Sequence, residues 1–330
     1  MNLNRSNARP LLIALTIWAM GNGSAVADWK VFKVDGRDYI TAKNIKEFYR
    51  FPELKLSGKT VMWKSSALWM RGTVGSSTLV INNVTFILSH PILKQGADVV
   101  VSRTDLTKLI DPVLRPDFIR SAEKFDTVVI DAGHGGHDSG TVGRFGQEKH
   151  FALATAKRLG AELKKRGFKV KYTRETDRFI PLTTRAKIGN DTPNSIFISI
   201  HFNSAKRTAA QGIETFALSP AGTASTAANL KRSDFNQRSG NQRDSENIAL
   251  ATAVHGAVLR RLSRYNPVDR GIKRARWTVL TGLKRPGLLF EGGFVSNSTE
   301  GKRIADPRYQ QDLAEGLAQA VVNYRRAIGN

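Results

Sequence analysis

Two histidines and two glutamates in this 330-residue chain have the types and spacing to hold one metal ion and move one proton. The apolar run 127–130 leads into Asp131-Ala132-Gly133-His134-Gly135-Gly136, the run 195–200 into His201, and the run 287–290 into Glu291-Gly292-Gly293. In open α/β sheets, ligands bind beyond the carboxyl ends of the strands, so His134, His201 and Glu291 are expected at one end of three strands. Glycines beside His134 and Glu291 remove side chains that would crowd a ligand there. Glu148 opens the first long helical pattern, which returns to the sheet near the same end. His, Glu and His are a common ligand set for one catalytic zinc ion, with the fourth position left to water. A further carboxylate, not a ligand, must accept the water's proton and deliver it to a leaving group. Glu291 is the unassigned carboxylate that directly follows an expected strand at this end. Two plainer roles stand beside these: Glu148 as a carboxylate favoured by a helix N-terminus, and Glu291 as a structural partner of Arg174 or Arg185.

The elements that must position these side chains read as strand, helix, strand from Phe125 onward. Residues 149–166 carry apolar side chains at helical spacing (Phe151, Leu153, Ala156, Leu159, Leu163) and stop at Gly167, a helix-ending residue. Strands are expected at 127–130, 168–172, 195–200, 213–218, 278–280 and 287–290, and helices at 181–188, 246–264 and 307–326. The run 195–200 lacks alternation, which predicts burial on both faces. The polar stretch 220–244 reads as a surface insertion or lid. Alternation of this kind predicts an α/β fold, a mostly parallel sheet flanked by helices. Residues 28–118 read instead as a β-rich module, with alternating runs at 31–34, 60–63, 78–81 and 84–88 and an Asn82-Asn83 hairpin turn. Ser102 caps a short helix there, and the proline-bounded segment 111–116 links the module to a catalytic domain at 119–330.

With these residues in place, five blocks resemble the zinc-dependent N-acetylmuramoyl-L-alanine amidases of the amidase_3 family. They are Val128-Val129-Ile130-Asp131-Ala132-Gly133-His134-Gly135-Gly136, Gly146-Gln147-Glu148-Lys149, Tyr172-Thr173-Arg174-Glu175-Thr176-Asp177, Ser199-Ile200-His201-Phe202-Asn203 and Phe290-Glu291-Gly292-Gly293-Phe294-Val295-Ser296-Asn297. The resemblance runs from about residue 127 to 324, in order and with similar spacing. It implies a phosphorylase/hydrolase-like α/β sandwich and one zinc ion on His134, Glu148 and His201. It also implies Glu291 as acid/base, and hydrolysis of the amide joining N-acetylmuramic acid to L-alanine in peptidoglycan. The sequence departs from the family pattern at Ala132, where proline is more usual, and at Gly292, where another small or apolar residue is more usual. Arg174 and Arg185 are expected substrate contacts, since arginine suits bidentate recognition of peptide carboxylates, with pairing to Asp177 as the structural alternative. Asn203 is expected to orient substrate or to cap a turn. His137 reads as a loop residue facing solvent, and His90, His150 and His255 as structural or surface residues. Trp29, Trp63 and Trp69 read as core rather than sugar platforms. Pieces at 87–91 and 101–106 are similar to copper amine oxidase N-terminal-like stalk modules, which bind no copper. Rival readings are another zinc peptidase acting on wall peptides, and a wall-binding adaptor without catalysis.

Composition and the first residues bound the setting. Arg5 and Arg9, the apolar run 11–20 and Ala25-Val26-Ala27 make a secretory signal peptide cleaved after Ala27, with a periplasmic or secreted product. The apolar run is too short to span a bilayer comfortably, so no stable membrane insertion is expected. The formal charge is +23, with 51 Lys and Arg against 28 Asp and Glu, which attracts polyanions. An exported protein meets peptidoglycan and surface polysaccharide rather than nucleic acid, and no basic run exceeds three residues. Peptidoglycan is therefore the expected partner, and any activator protein is unidentified. There are no cysteines, which excludes disulfides, a lipid-modified cysteine and a thiolate metal site.

Overall fold

The computed structural model describes residues 29–329 together with the backbone of Leu11–Leu12. The leader expected over residues 1–27 otherwise lies outside the described residues. The chain divides into two compact units, Met1–Ile110 and Asp111–Asn330.

In the first unit, short strands form two antiparallel sets. Lys30–Val34, Arg37–Thr41, Asp98–Ser102 and Leu93–Gln95 pair in that order, and Leu11–Leu12 adds to the first of them. Glu53–Ser57, Thr60–Lys64, Trp69–Thr73, Thr78–Ile81 and Val84–Ile87 run as a meander. Asn82 and Asn83 take φ of 45° and 65°, a pair of left-handed residues that matches the twist of a two-residue hairpin. The Ser102 hydroxyl accepts the Asp105 N–H at 3.0 Å, so the expected cap forms. Trp63 is 1% exposed and donates from Nε1 to the Ala42 carbonyl, while Trp29 is also buried and Trp69 half-buried.

The second unit is built on β1 (Thr127–Ala132), α1 (Glu148–Lys165), β2 (Lys169–Tyr172), α2 (Leu182–Asn190), β3 (Ser195–Asn203), β4 (Ile213–Leu218), α3 (Asp244–Arg261), β5 (Asp269–Ala275), β6 (Gly287–Phe294) and α4 (Pro307–Ala327). The strands lie in the order β2-β1-β3-β6-β4-β5. All neighbours are parallel except β6 and β4. The carboxyl ends of β1, β3 and β6 therefore meet the amino ends of β4 and β5 at one edge. Helices α1 and α3 both pack on α4. On the sheet's other face, Ile188 of α2 meets a buried cluster that includes Val129, Phe197, Leu218 and Leu289. Residues 195–200 are buried throughout, as an unalternating strand between two layers requires.

Two expectations change. The stretch 278–280 forms no strand; Thr278–Thr281 is one helical turn whose Val279 and Leu280 drop into that same buried cluster. Burial, not sheet pairing, accounts for its apolar character. Conversely, Asp269–Ala275 is a full strand, although four of its seven residues are charged. The stretch 220–244 consists of turns with two 3₁₀ segments, Arg232–Phe235 and Ser239–Arg243. It is held down where Asn241 Nδ2 donates to the Ser219 carbonyl (2.9 Å) and Arg276 Nη2 to the Pro220 carbonyl (2.8 Å).

Candidate active site

Strand alternation puts Asp131, Ser199, His201, Glu291 and Glu214 on one face of the sheet, because side chains two residues apart share a face. The register sets His201 beside Glu291 and Glu291 opposite Glu214. His134 arrives from the loop after β1, and Glu148 from the first residue of α1.

Three donors converge there. Glu148 Oε1 lies 2.9 Å from His134 Nε2 and 3.0 Å from His201 Nδ1, and the ligand atoms of the three residues lie within 4.8 Å of one another. Glu148 is buried, and its Oε2 accepts the Thr141 N–H while Oε1 accepts that of Phe202. On the far side of His134, Nδ1 sits 2.9 Å from both oxygens of Asp138. An ionised Asp138 can only accept, so Nδ1 carries the hydrogen and Nε2 is left as a lone pair. Two lone pairs, on Nε2 and on Glu148 Oε1, then face each other across 2.9 Å, which requires a proton or a cation between them. Burial alone would lower the His134 pKa, but the carboxylates of Glu148 and Asp138 raise it above its ordinary 6.5. Glu148 is held far below the usual carboxylate range: the two imidazoles outweigh the burial that opposes ionisation.

The site fits a small divalent ion. Zinc at about 2.1 Å from N and O donors needs neighbouring donors about 3.4 Å apart, so these would open by a few tenths of an ångström. The walls are cut for the same purpose. A Cβ on Gly133 would meet the His201 ring at 2.4–2.6 Å, and one on Gly140 would meet His134 Cδ2 at 2.6 Å and Glu148 Oε2 at 2.7 Å.

Glu291 stands apart from this set. As a residue it is half-buried, yet its Oε2 is shut from solvent and has no hydrogen-bond partner. Burial raises its pKa well above 4.5, Glu148 and Glu214 raise it further, and Lys273 opposes them. It pairs with neither Arg174 nor Arg185.

Those two arginines are not placed to touch substrate. Arg174 is 1% and Arg185 2% exposed. Arg174 donates to the carbonyls of Ala132, Gly133, Lys149 and Thr176. Arg185 donates to the carbonyls of Ile180, Ala132 and His134 and pairs with buried Asp131 at 2.9 Å. Together they clamp three consecutive carbonyls of the loop that carries His134. That residue has φ of +59°, a conformation a non-glycine residue keeps only when its surroundings impose it. Asp177 pairs with Lys149 (2.7 Å) rather than with Arg174. Asn203 also serves the site indirectly: its Nδ2 donates to Glu214 at 3.0 Å. His137 is exposed and stacks near Phe179 with ring centroids 4.3 Å apart. His255 is fully buried between Thr215 Oγ1 and Asp269 Oδ1, each at 2.9 Å. That chain resembles a hydrolytic triad, but with Thr215 and His255 both closed from solvent it is structural.

Residues not singled out in the sequence complete the picture. Asp138 orients His134, and Asp131 anchors Arg185 while accepting from Thr173 and Ser199. Glu214 is 3% exposed and carries Arg270, Lys273 and Asn203. A charged residue inside the mostly apolar run 213–218 was the available signal, because buried carboxylates come with partners.

Fold and site together describe an α/β protein whose sheet edge gathers three potential metal donors beside a glutamate with an unpartnered oxygen. Residues 128–323 match the model of Amidase_3, N-acetylmuramoyl-L-alanine amidase, and the chain belongs to that family. It is 27% identical over 249 residues to the N-acetylmuramoyl-L-alanine amidase AmiA of Escherichia coli strain K12, covering 69% of this chain and 86% of AmiA. It is 31% identical over 217 residues to AmiC of Escherichia coli O6:H1, covering 60% of this chain and 52% of AmiC. Among solved structures, the catalytic domain of CwlV, an N-acetylmuramoyl-L-alanine amidase from Bacillus (Paenibacillus) polymyxa var. colistinus, superposes with a TM-score of 0.51 at 30% identity. The match covers 61% of this chain and 98% of that domain. The amidase AmiC2 of Nostoc punctiforme superposes with the same TM-score at 29% identity, covering 62% of this chain and 99% of its own.

Proposed function

We propose that the protein is a zinc-dependent N-acetylmuramoyl-L-alanine amidase that cuts the amide between N-acetylmuramic acid and L-alanine in peptidoglycan. The observation that carries the reading is the unpartnered, solvent-shielded Oε2 of Glu291 beside the converging donors of His134, Glu148 and His201. Those three residues would hold the zinc. A bound zinc ion supplies Lewis acidity, which makes water a nucleophile near neutral pH and polarises the scissile carbonyl. The protein's own groups do the rest. The Glu291 carboxylate accepts the attacking water's proton, keeps it in a site that favours the protonated carboxyl, and returns it to the departing L-alanine nitrogen. His134 is kept in one tautomer by Asp138, and the loop that bears it is fixed by Arg174 and Arg185. The basic composition suits an anionic wall polymer. The sequence of residues 1–27 supports action outside the cytoplasm, in the periplasm or beyond. No helix of the described residues is long and apolar enough to cross a membrane.

The test is digestion of purified sacculi by zinc-loaded protein, with mass spectrometry of the products. An amidase frees peptides with L-alanine amino termini, a carboxypeptidase frees a single amino acid, and an adaptor binds without release. Glu291→Gln is expected to lower the rate at least about 10²-fold while metal content stays the same. Undiminished activity in that variant refutes the role of Glu291.

A further inference from the structure

Beside the site, on the two strands that enter this edge by their amino ends, lies a charge cluster the reaction has not used. Glu214 Oε1 accepts from Arg270 Nε and from Lys273 Nζ, the latter at 2.7 Å, and Oε2 accepts from Asn203. The Glu214 side chain is 4% exposed, whereas those of Arg270 and Lys273 are 35% and 17% exposed. One cation would neutralise the buried Glu214; the second leaves these three side chains one positive charge in excess, with Glu291 and Glu300, both held toward the protonated form, as the neighbouring carboxyls. Arg270 spends only Nε on Glu214, which leaves the fork of its two terminal nitrogens free of protein partners among the described residues. Its guanidinium is held over the Phe294 ring at 4.9 Å, three residues past Glu291, and Lys273 Nζ lies 5.9 Å from the Phe216 ring centroid. A cation fork fixed by a buried carboxylate and an aromatic face is pre-organised for a carboxylate.

We infer that Arg270 and Lys273, positioned by Glu214, form an anion subsite that takes the carboxylate of the acidic peptide residue adjoining the cleaved L-alanine. The inference rests on the amidase reading and adds a direction to it: the peptide side of the substrate crosses β6 toward β4 and β5. β5 is two strands from β6, about 10 Å, within reach of a long side chain and a residue or two of extended peptide. Peptide carboxylates are thus recognised by arginine chemistry, but by Arg270 and not by the buried Arg174 and Arg185.

The experiment compares two soluble muropeptides on the zinc-loaded full chain, one with a free carboxylate on the second peptide residue and one with a carboxamide there. The wild type is expected to prefer the carboxylate roughly tenfold in kcat/KM, the low end of what a charge-assisted hydrogen bond contributes. In Arg270→Gln, which leaves Glu214 paired with Lys273 and the charges around Glu291 in place, KM for the carboxylate substrate rises about tenfold. Its kcat holds, and the carboxamide substrate is unaffected. Arg270→Lys keeps only a minor part of the preference, since an ammonium cannot hold Glu214 and present a planar fork at once. Calorimetric binding of the two released peptides gives the same comparison without turnover. Equal treatment of both substrates and both peptides by the wild type overturns the subsite, as does an equal loss of kcat on both substrates in Arg270→Gln. Cleavage of neither substrate by the wild type sinks the amidase reading instead, and peptide binding then still decides the subsite.

Discussion

Replacing Arg185 by methionine separates a scaffold from a substrate contact. The guanidinium is 2% exposed and makes four hydrogen bonds, to Asp131 Oδ1 (2.9 Å) and to the carbonyls of Ala132 (2.7 Å), His134 (2.6 Å) and Ile180 (2.8 Å). In Arg185→Met, Asp131 keeps Thr173 and Ser199 but loses its direct ion pair, with Arg174 left as a more distant positive charge. Three carbonyls lose a donor at the same time. Breaking one side of a buried ion pair costs about 3–5 kcal/mol because the remaining charge is left uncompensated. For a unit of this size, each kcal/mol moves Tm by about 2–4 °C, so the midpoint should fall by roughly 6–20 °C. The left-handed backbone of His134 also loses the donor that pins its carbonyl, so metal affinity should fall in chelator competition. Arg185→Lys should rescue little, since an ammonium cannot reproduce a planar fork bound on four sides. A variant that melts within about 2 °C of wild type but shows a raised KM at unchanged kcat would overturn the scaffold assignment and restore Arg185 as a substrate ligand.

Two further outcomes follow from the donors around His134. Asp138→Ala removes the acceptor 2.9 Å from Nδ1, and zinc affinity measured by chelator competition should fall about 10–100-fold, as for other carboxylates that orient a metal-binding histidine; an unchanged affinity rules Asp138 out of that role. pH should act oppositely on the metal-free and metal-loaded forms. Folding raises the His134 pKa, so the proton contributes stability fully below the unfolded value of 6.5 and loses it as pH rises through the folded value. Metal-free protein should therefore melt lower at pH 8 than at pH 6. Zinc must displace that proton, so its affinity should rise over the same interval; His134→Ala should remove the affinity trend and weaken the melting trend, to which the raised Glu291 carboxyl contributes in the same direction.

The convergence of His134, Glu148 and His201 was legible because each lies beside or opens an element whose pattern is strong. His134 follows the apolar strand Thr127–Ala132, His201 and Glu291 lie within the strands Ser195–Asn203 and Gly287–Phe294 just past their apolar runs, and an 18-residue helix begins at Glu148. The hairpin at Asn82-Asn83 was legible for a similar reason, since left-handed φ selects asparagine. The strand Asp269–Ala275 was not, because its charged residues carry no apolar signature and its pairing with β4 is a tertiary fact. Missing that strand hid Arg270 and Lys273. The misreading of 278–280 has the opposite cause: Val279 and Leu280 are apolar because they fill a pocket under the sheet, a role that one helical turn serves as well as a strand.

Burial, not residue type, sorts the arginines of this site. Arg174 and Arg185 come from the segment 174–185 after β2, and every nitrogen they offer is turned inward to a carbonyl or to Asp131. The loop they clamp bends through a strained histidine and could not hold that shape unaided. Arg270 and Lys273 sit on the opposite flank, where a single buried carboxylate fixes them and leaves charge to spare. A substrate carboxylate could be recognised by the first pair only if three backbone carbonyls were abandoned, at a cost of about 1–3 kcal/mol for each buried group left unsatisfied. The second pair gives up nothing to bind it. The same chemistry is thus divided between two jobs, holding the metal-bearing loop on one side of Glu291 and meeting the peptide on the other.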